Sequence, residues 1–170
     1  MNKVFFDLEW NTGFLDGNSF DEIIEIGAVK TDEEYRQIDG FRRLIRPVIY
    51  RKMNPYIQKI LAITMKDLQG EEPLAAVAKA FFDWCGDCDT LIAWSGNDFG
   101  VLEKNLAHIG MKIPEQLGRY DVQMAYAYRT ENSIRNYALK TAVEAMELPE
   151  PEGQEYHDAY CDAQFTAAIG

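Results

Sequence analysis

The sequence predicts an α/β protein built on a mixed sheet, in which three antiparallel strands are joined by parallel strands and helices cover the faces. The first observation is a series of three apolar, strand-like segments at residues 4–10, 23–30 and 41–46. The second is that helical and strand patterns alternate through the rest of the chain. This order of elements is typical of a mixed sheet with helices packed on it. Because 170 residues is an ordinary size for one domain, we expect residues 1–170 to form a single domain.

Each of the three leading segments has its own strand signal. Residues 4–10 form an apolar run interrupted only by Asp7 and Glu9, and residues 23–30 are rich in β-branched side chains. Residues 41–46 end at Pro47, which cannot donate a hydrogen bond to a neighbouring strand. Short connections between the three segments favour antiparallel neighbours.

The remaining elements follow from helical spacing and short apolar runs. Pro73 suits the start of a helix, and Leu74, Val77 and Phe81 recur behind it at helical spacing. In chain order, the predicted elements are a helix at 56–62, a helix from Pro73, a strand at 90–94, a helix at 98–109, a short strand or turn at 120–122, and helices at 123–128, 136–146 and 159–169.

The charge balance limits the kind of partner that the protein can bind. The chain has 17 basic and 28 acidic residues, a net charge of −11. Such a surface repels long polyanions, because neutralising phosphates supplies most non-specific affinity for nucleic acid. A nucleic-acid substrate is compatible with this charge if acidic residues surround bound divalent cations, which reverse the local sign, and if the substrate is short.

The sequence shows no sign of a membrane segment. No apolar run approaches the roughly 20 residues that a membrane-spanning helix needs. The first residues run directly into a strand pattern and lack the apolar region and cleavage site of a signal peptide. We therefore expect a cytoplasmic protein without a membrane partner.

The three cysteines leave one alternative function open. Cys85 and Cys88 form a C-x-x-C motif, and Cys161 lies far from both. A redox motif should open a helix after a strand, whereas this one follows a predicted helix and precedes a strand. A zinc site would need two further ligands, and there is no second C-x-x-C. The motif is better explained as a turn from helix to strand.

Asp7 and Glu9 form the first element of a candidate site. Side chains two residues apart on a strand point to the same face, so these two carboxylates project together. They repel each other unless a positive group, such as a divalent cation, lies between them. The alternative is a strand end whose acids face solvent.

Two further acids and a histidine occur in positions where catalytic groups are often found. Asp98 follows a predicted strand and begins a helix, where an aspartate is commonly a cap but where active sites of sheet proteins also lie. Asp162 lies in an apolar helix, and since an unpaired buried carboxylate is costly, we expect a metal or another partner for it. His157 is expected on the preceding loop, reaching over the same site. His108 lies on an amphipathic helix, and we expect it to be a partly exposed packing residue.

These motifs, in this order, resemble those of the DEDDh exonuclease family. The resemblance rests on the Asp7–Glu9 pair, on Asp98, and on His157 with Ala159 and Asp162. It extends over almost the whole chain, including residues 24–29, 63–64, 120–122 and 138–140. The segment around Asp98 differs from the commoner family pattern, which has H-N followed by F-D. It is closer to the branch that contains small-RNA and histone-mRNA trimming enzymes and bacterial homologues of the sporulation-inhibitor type.

The resemblance implies a ribonuclease H-like fold and a metal-dependent 3′→5′ exonuclease. The implied cofactors are two divalent cations, Mg²⁺ or Mn²⁺, held by Asp7, Glu9, Asp98 and Asp162. The implied catalytic residues are His157, which would accept a proton from water, and Glu9. The product would be a nucleoside 5′-monophosphate.

The implied substrate is the 3′ end of single-stranded RNA or DNA, with RNA or short oligonucleotides favoured. Trp10 is expected to stack on the terminal base and Ile63 to wedge against it, although core packing is the alternative for both. A basic cluster at Arg42, Arg43, Arg46, Arg51 and Lys52 could guide a few nucleotides, or could only protect an edge strand by its charge. A catalytically silent nucleic-acid-binding relative is the alternative function.

Overall fold

A five-stranded mixed sheet forms the centre of the protein. The computed structural model describes residues 1–131, 137–149 and 157–169. The strands are β1 (Lys3–Leu15), β2 (Asn18–Thr31), β3 (Gln37–Leu44), β4 (Thr90–Ala93) and β5 (Gly118–Asp121). Their order is β3-β2-β1-β4-β5, with β1, β2 and β3 antiparallel and β4 and β5 parallel to β1. The predicted mixed sheet is confirmed.

Helices cover both faces of this sheet. Within the described residues they are α1 (Pro55–Leu61), α2 (Met65–Leu68), α3 (Leu74–Cys85), α4 (Gly96–His108), α5 (Val122–Glu131), α6 (Leu139–Ala145) and α7 (Ala159–Ile169). The short helix α2 was not predicted; Asp67 accepts hydrogen bonds from the backbone and hydroxyl of Thr64 and so stabilises its first turn. Asn136, the predicted first residue of α6, lies outside the described residues.

The hairpin of β1 and β2 is longer than predicted. Leu15 pairs with Asn18, and the two residues between them, Asp16 and Gly17, have φ angles of 50° and 80°. Two successive positive φ angles are typical of a type I′ turn, and Asp-Gly is a preferred sequence for it. The hairpin therefore continues well beyond Glu9, and its turn signal is present in the sequence.

Alternation along β1 divides the core into two layers. Val4, Phe6 and Leu8 pack against α3 and α4 on one face of the sheet. Phe5 lies on the other face, in a cluster that includes Phe165 of α7. Because side chains alternate, Asp7 and Glu9 continue the Phe5 face and thus point toward α7.

A third apolar cluster supports the segment after β3. Ile24 of β2 packs with Met53 and Leu68, and side chains of α1 and α2 cover them. Asn11 of β1 anchors the same segment, since its side chain donates to the Lys52 carbonyl and accepts from the Asn54 amide. Helix α1 is therefore fixed beside the part of β1 that follows Glu9.

Helix α7 approaches the sheet closely because Gly27 has no side chain. A Cβ atom on Gly27 would lie 2.1 Å from the Tyr160 nitrogen and 2.2 Å from the Ala159 carbonyl carbon. The ring of Tyr160 covers Gly40 on the neighbouring strand in the same way. The first turn of α7 thus rests on the backbone of β2, directly beside Asp7, which pairs with Gly27.

The C-x-x-C motif lies where the sequence predicts a turn. Cys85 is the last residue of α3, and Cys88 lies in the turn before β4. The three cysteines are buried thiols, and burial raises the pKa of Cys85 to about 12.

As for the membrane, no helix within the described ranges has both the length and the apolar character required to cross a bilayer.

Replacing Gly27 by alanine is expected to destabilise the protein by about 1–3 kcal/mol, the usual cost of overpacking. The added methyl group meets backbone atoms of α7 rather than a flexible side chain, so the helix itself must move. The midpoint of thermal unfolding measures the loss.

Gly100→Ala in α4 is the matched control. No atom outside the helix backbone lies within 4 Å of the position that its methyl group would take, and alanine is favoured over glycine in a helix by about 0.5–1 kcal/mol. Its melting temperature should stay equal or rise. A Gly27→Ala variant as stable as the Gly100→Ala variant would contradict the close contact between α7 and β2.

Candidate active site

The central strand β1 supplies two carboxylates to the α7 face of the sheet. Asp7 lies opposite Gly27, and Glu9 lies opposite Glu25. Immediately after Glu9 the register shifts, because Trp10 pairs with Ile23 and the residue between Ile23 and Glu25 is left without a partner. Such a bulge bends the strand and re-aims its side chains. It lies directly next to the candidate site.

Asp98 reaches the site from the start of α4. It is buried, with 5% of its surface exposed, and its Oδ2 accepts a hydrogen bond from the Ser95 hydroxyl at 3.2 Å. Ser95, not Asp98, occupies the cap position of the helix. The Asp121 side chain accepts hydrogen bonds from the Gly96 amide of α4 at 2.8 Å and from the Met124 amide of α5 at 3.0 Å. It therefore joins the first turns of these two helices.

Asp162 and His157 reach the site from α7 and the residues before it. Asp162 lies in the first turn of α7, and its Oδ2 accepts a hydrogen bond from the His157 backbone amide at 3.2 Å. His157 is exposed and has a φ of 70°, a conformation that few residues other than glycine adopt. One ligand atom each from Glu9, His157 and Asp162 lies within 4.8 Å of the others. The predicted position of His157 on the loop before the helix agrees with this geometry.

Burial and mutual repulsion raise the pKa of all four acids. Burial, and then the charges of Asp98 and Asp162, raise the pKa of Asp7 well above its ordinary value. Burial, and then the Asp162 charge, raise the pKa of Glu9 to about 8. Burial likewise raises the pKa of Asp162 to about 7 and that of Asp98 to about 6, although the Ser95 hydroxyl opposes the second shift. The four side chains therefore share one electrostatic environment that disfavours their negative charge.

The donor set fits a hard divalent cation. The Oδ1 atom of Asp162 is buried and has no hydrogen-bond partner among the described residues. An unsatisfied buried carboxylate oxygen is costly, and a cation beside it would remove that cost and the repulsion from Asp7 and Glu9. Carboxylate oxygens are the ligands that Mg²⁺ and Mn²⁺ prefer.

The two residues predicted to bind substrate both pack partly into the core. Trp10 is partly buried and packs against the core on the α3 and α4 face. Ile63, between α1 and α2, is partly buried in the cluster around Ile24 and Met53. Each side chain retains some exposed surface, and their contact with a base stays a prediction.

The other histidine lies away from the acidic cluster. His108 is exposed at the end of α4, with its ring centre 5.6 Å from that of Phe20. It contacts an aromatic side chain of β2, as a packing residue on the surface of a helix would.

The structure places three further residues beside the site. Glu25, buried on β2, and Asp158, which follows His157, both pair with Arg42 of β3. Glu25 interrupts a strongly apolar run, and a single acid in such a strand is the signal that could have identified it. Nothing in the local sequence links Arg42 to Asp158.

The five-stranded mixed sheet with helices on both faces is the ribonuclease H-like fold. The sequence model of the exonuclease family matches residues 4–169, so the chain belongs to this family, and the predicted resemblance to its DEDDh type is confirmed.

Two solved structures are similar to this one. The nuclease domain of 3′hExo, a DEDDh family member bound to rAMP, is 18% identical and has a TM-score of 0.81, covering 99% of this chain and 88% of that one. E. coli Exonuclease I in complex with a dA16 oligonucleotide is 19% identical with a TM-score of 0.72, covering 99% of this chain and 39% of that one.

A curated relative in sequence is "DNA polymerase III PolC-type" of Clostridium perfringens (strain 13 / Type A). The identity is 29% over 169 residues, which are 98% of this chain and 11% of that protein. The chain thus spans about a tenth of the length of this relative.

The thermal stability of the metal-free protein is expected to fall as the pH rises from about 6 to about 8. Glu9 and Asp162, whose pKa values are about 8 and about 7 in the folded state, hold protons there that the unfolded chain has already released. Because the folded state binds more protons, the free energy of unfolding decreases as the pH rises through these values. Melting temperatures measured in chelator across this range test the prediction.

Glu9→Gln is the control, since an amide cannot titrate, and it should flatten the dependence. Saturating Mg²⁺ should also flatten it in the wild type, because the cation favours the ionised carboxylates. A melting temperature that stays constant or rises across this range in chelator would contradict the shared electrostatic environment.

Proposed function

We propose that this chain is a metal-dependent 3′→5′ exonuclease that hydrolyses single-stranded nucleic acid to nucleoside 5′-monophosphates. The observation that carries the proposal is the convergence of the Glu9, His157 and Asp162 ligand atoms within 4.8 Å. Asp7 and Asp98 lie close enough to these residues to share their electrostatic environment. We further propose that residues 1–170 act as a single exonuclease domain.

Asp7, Glu9, Asp98 and Asp162 are the proposed ligands of two divalent cations, Mg²⁺ or Mn²⁺. When bound, these ions would lower the pKa of water and stabilise the charge on the phosphate and on the leaving oxygen. The four acids approach from β1, α4 and α7, so the site is assembled from rigid elements. The unpaired Oδ1 of Asp162 supports its inclusion in this set.

His157 is the proposed proton acceptor. Its ring is exposed beside Glu9 and Asp162, while its backbone amide is held by the Asp162 carboxylate. In the proposed reaction, water loses a proton to His157 and its oxygen attacks the phosphorus of the last phosphodiester. The bond to the 3′ oxygen of the preceding nucleotide breaks and that oxygen takes up a proton from solvent, which releases a nucleoside 5′-monophosphate and a new 3′ hydroxyl. Glu9 is positioned to orient the water.

The charge distribution supports a short, single-stranded substrate. Residues 41–66 carry seven of the chain's 17 basic residues and none of its 28 acidic ones. Four members of the predicted basic cluster are exposed and form no ion pair within the described residues, namely Arg43, Arg46, Arg51 and Lys52. This segment includes α1 and Ile63 and is anchored to β1 through Asn11, which directly follows Trp10; Trp10 and Ile63 are the proposed contacts for the terminal base. The rAMP and dA16 ligands of the similar structures are consistent with a substrate of this kind.

Removing divalent cations should abolish activity, and adding Mg²⁺ or Mn²⁺ should restore it and raise the melting temperature. Release of nucleotides from a 3′-labelled oligonucleotide, with and without EDTA, measures the effect. Asp7→Asn and Asp162→Asn should each eliminate turnover. Full activity in excess chelator would refute the proposal, and binding without hydrolysis in Mg²⁺ would support a silent relative instead.

Replacing His157 by alanine should lower kcat by about 10²–10⁴-fold, the usual contribution of a general base. The rise in melting temperature on adding Mn²⁺ should be nearly unchanged. His108→Ala is the matched control, since its exposed ring contacts Phe20, and it should leave kcat close to the wild type. Equal effects of the two substitutions would show that His157 is not the base.

Single-stranded substrates should be degraded faster than blunt duplexes. The terminal base must leave any pair before it reaches the metal site, and this costs least in an unpaired strand. Initial rates on a short and a longer 3′-labelled oligonucleotide, as RNA and as DNA and as single strand and duplex, test this. Faster degradation of the duplex, or cleavage of a circular substrate, would contradict exonuclease action on single strands.

A further inference from the structure

Arg42 of β3 links two acids that lie on either side of the candidate active site. Its Nε donates to Oε1 of Glu25 at 2.9 Å, and its Nη2 donates to Oδ2 of Asp158. Glu25 is 1% exposed on β2, whereas Asp158 lies just before α7. One guanidinium therefore joins the sheet to the start of the helix that carries Asp162.

Both partners of Arg42 are in direct contact with the elements that hold the catalytic side chains. Glu25 pairs with Glu9 across the β1–β2 ladder and lies two residues before Gly27, on which the first turn of α7 rests. Asp158 accepts from the Cys161 amide at 3.1 Å through its side chain and from the Asp162 amide at 2.9 Å through its carbonyl. Asp158 is thus the cap of α7, and it directly follows His157.

Arg42 also offsets an unfavourable pairing of charges. Glu9 and Glu25 lie opposite each other on adjacent strands, and like charges in such a pair destabilise a sheet. A buried carboxylate such as Glu25 is strongly destabilising when its partner is removed. Without the guanidinium, the Glu25 carboxylate would repel that of Glu9, and Asp158 would lose its ion pair with the sheet.

The neighbouring Arg43 is placed differently. It is exposed, and its guanidinium carbon lies 5.9 Å from the centre of the Phe41 ring, on the opposite face of β3. Adjacent arginines thus have different surroundings: Arg42 is held by acids of the protein, and Arg43 is available to a ligand.

We propose that Arg42 is a positioning residue of the nuclease, which fixes Glu9, His157 and Asp162 relative to one another through its contacts with Glu25 and Asp158. The proposal rests on the nuclease function proposed above. It removes Arg42 from the predicted basic cluster that guides substrate, since its Nε and Nη2 atoms already donate to carboxylates of the protein.

The first experiment compares Arg42→Gln with Arg43→Gln and Arg36→Gln. Arg42→Gln should lower kcat by about 10–100-fold with KM unchanged, because a displacement of about 1 Å at a reacting group can cost about 10²-fold. Arg36 also joins two acids, Asp32 and Glu34, but in the turn between β2 and β3, so Arg36→Gln should leave kcat and KM unchanged. Arg43→Gln should instead raise KM and reduce the salt slope of kcat/KM by about 0.7 if it contacts one phosphate.

The kcat of Arg42→Lys should lie between that of Arg42→Gln and that of the wild type. Lysine supplies the charge, but it lacks the planar guanidinium that donates to two carboxylates at once. Asp158→Asn is the variant that tests the link if Arg42→Gln fails to fold, since asparagine keeps the helix cap and removes only the ion pair. It should lower kcat with KM unchanged. The double variant Arg42→Gln with Asp158→Asn should lose less than the product of the single losses, as expected for residues that act through one contact.

Three outcomes decide the proposal. A kcat for Arg42→Gln equal to the wild type, or a loss that appears in KM with a reduced salt slope, would overturn it. A kcat loss that adds fully to that of Asp158→Asn would also overturn it. An inactive wild-type protein would refute the proposed function instead. Positioning by Arg42 would then be judged by whether Arg42→Gln reduces the rise in melting temperature caused by Mn²⁺ more than Arg36→Gln does.

Discussion

The geometry of the candidate site depends on the contact between the first turn of α7 and the backbone at Gly27. This contact has no side chain in it, so there is no flexible group that can absorb a change in distance. Asp7 lies beside Gly27 on the same ladder, and Asp162 lies in the helix turn that rests on it. The separation between the carboxylates of the strand and of the helix is therefore set by two backbones in contact, which are the stiffest parts of the fold.

Two buried acids of this protein, Glu22 and Asp162, differ in how far their carboxylate oxygens are satisfied. Glu22 is 4% exposed, and it accepts hydrogen bonds from the amides of Val48, Ile49 and Tyr50 at 2.6–2.9 Å. Its charge is satisfied within the fold, and its role is to hold the segment after β3. Asp162 has a comparable burial but leaves Oδ1 without a partner among the described residues. The oxygen of Asp162 is thus left open to a cation, whereas the oxygens of Glu22 are occupied by backbone amides.

Local patterns were sufficient to predict the strands, the longer helices and the side chains of the proposed site. Asp7 and Glu9 follow from the period of a strand, and Asp98 from the order of strand, turn and helix. The bulge in β2 could not be predicted, because an unpaired residue is defined only by its partner strand. The contact of Arg42 with Asp158 could not be predicted either, since only the docking of α7 on the sheet brings these residues together. Sequence periodicity therefore indicated which acids come together in the cluster, but not which residues hold them in place.

The positions of the proposed ligands along the chain also have a consequence for biosynthesis. Asp7 and Glu9 belong to the first strand of the sheet to emerge from the ribosome, whereas His157 and Asp162 belong to the last described helix and the residues before it. Because proteins are made from the amino terminus, the sheet can form while the site still lacks His157 and Asp162. The proposed set of site residues is therefore complete only after α7 has been synthesised and has docked on the sheet.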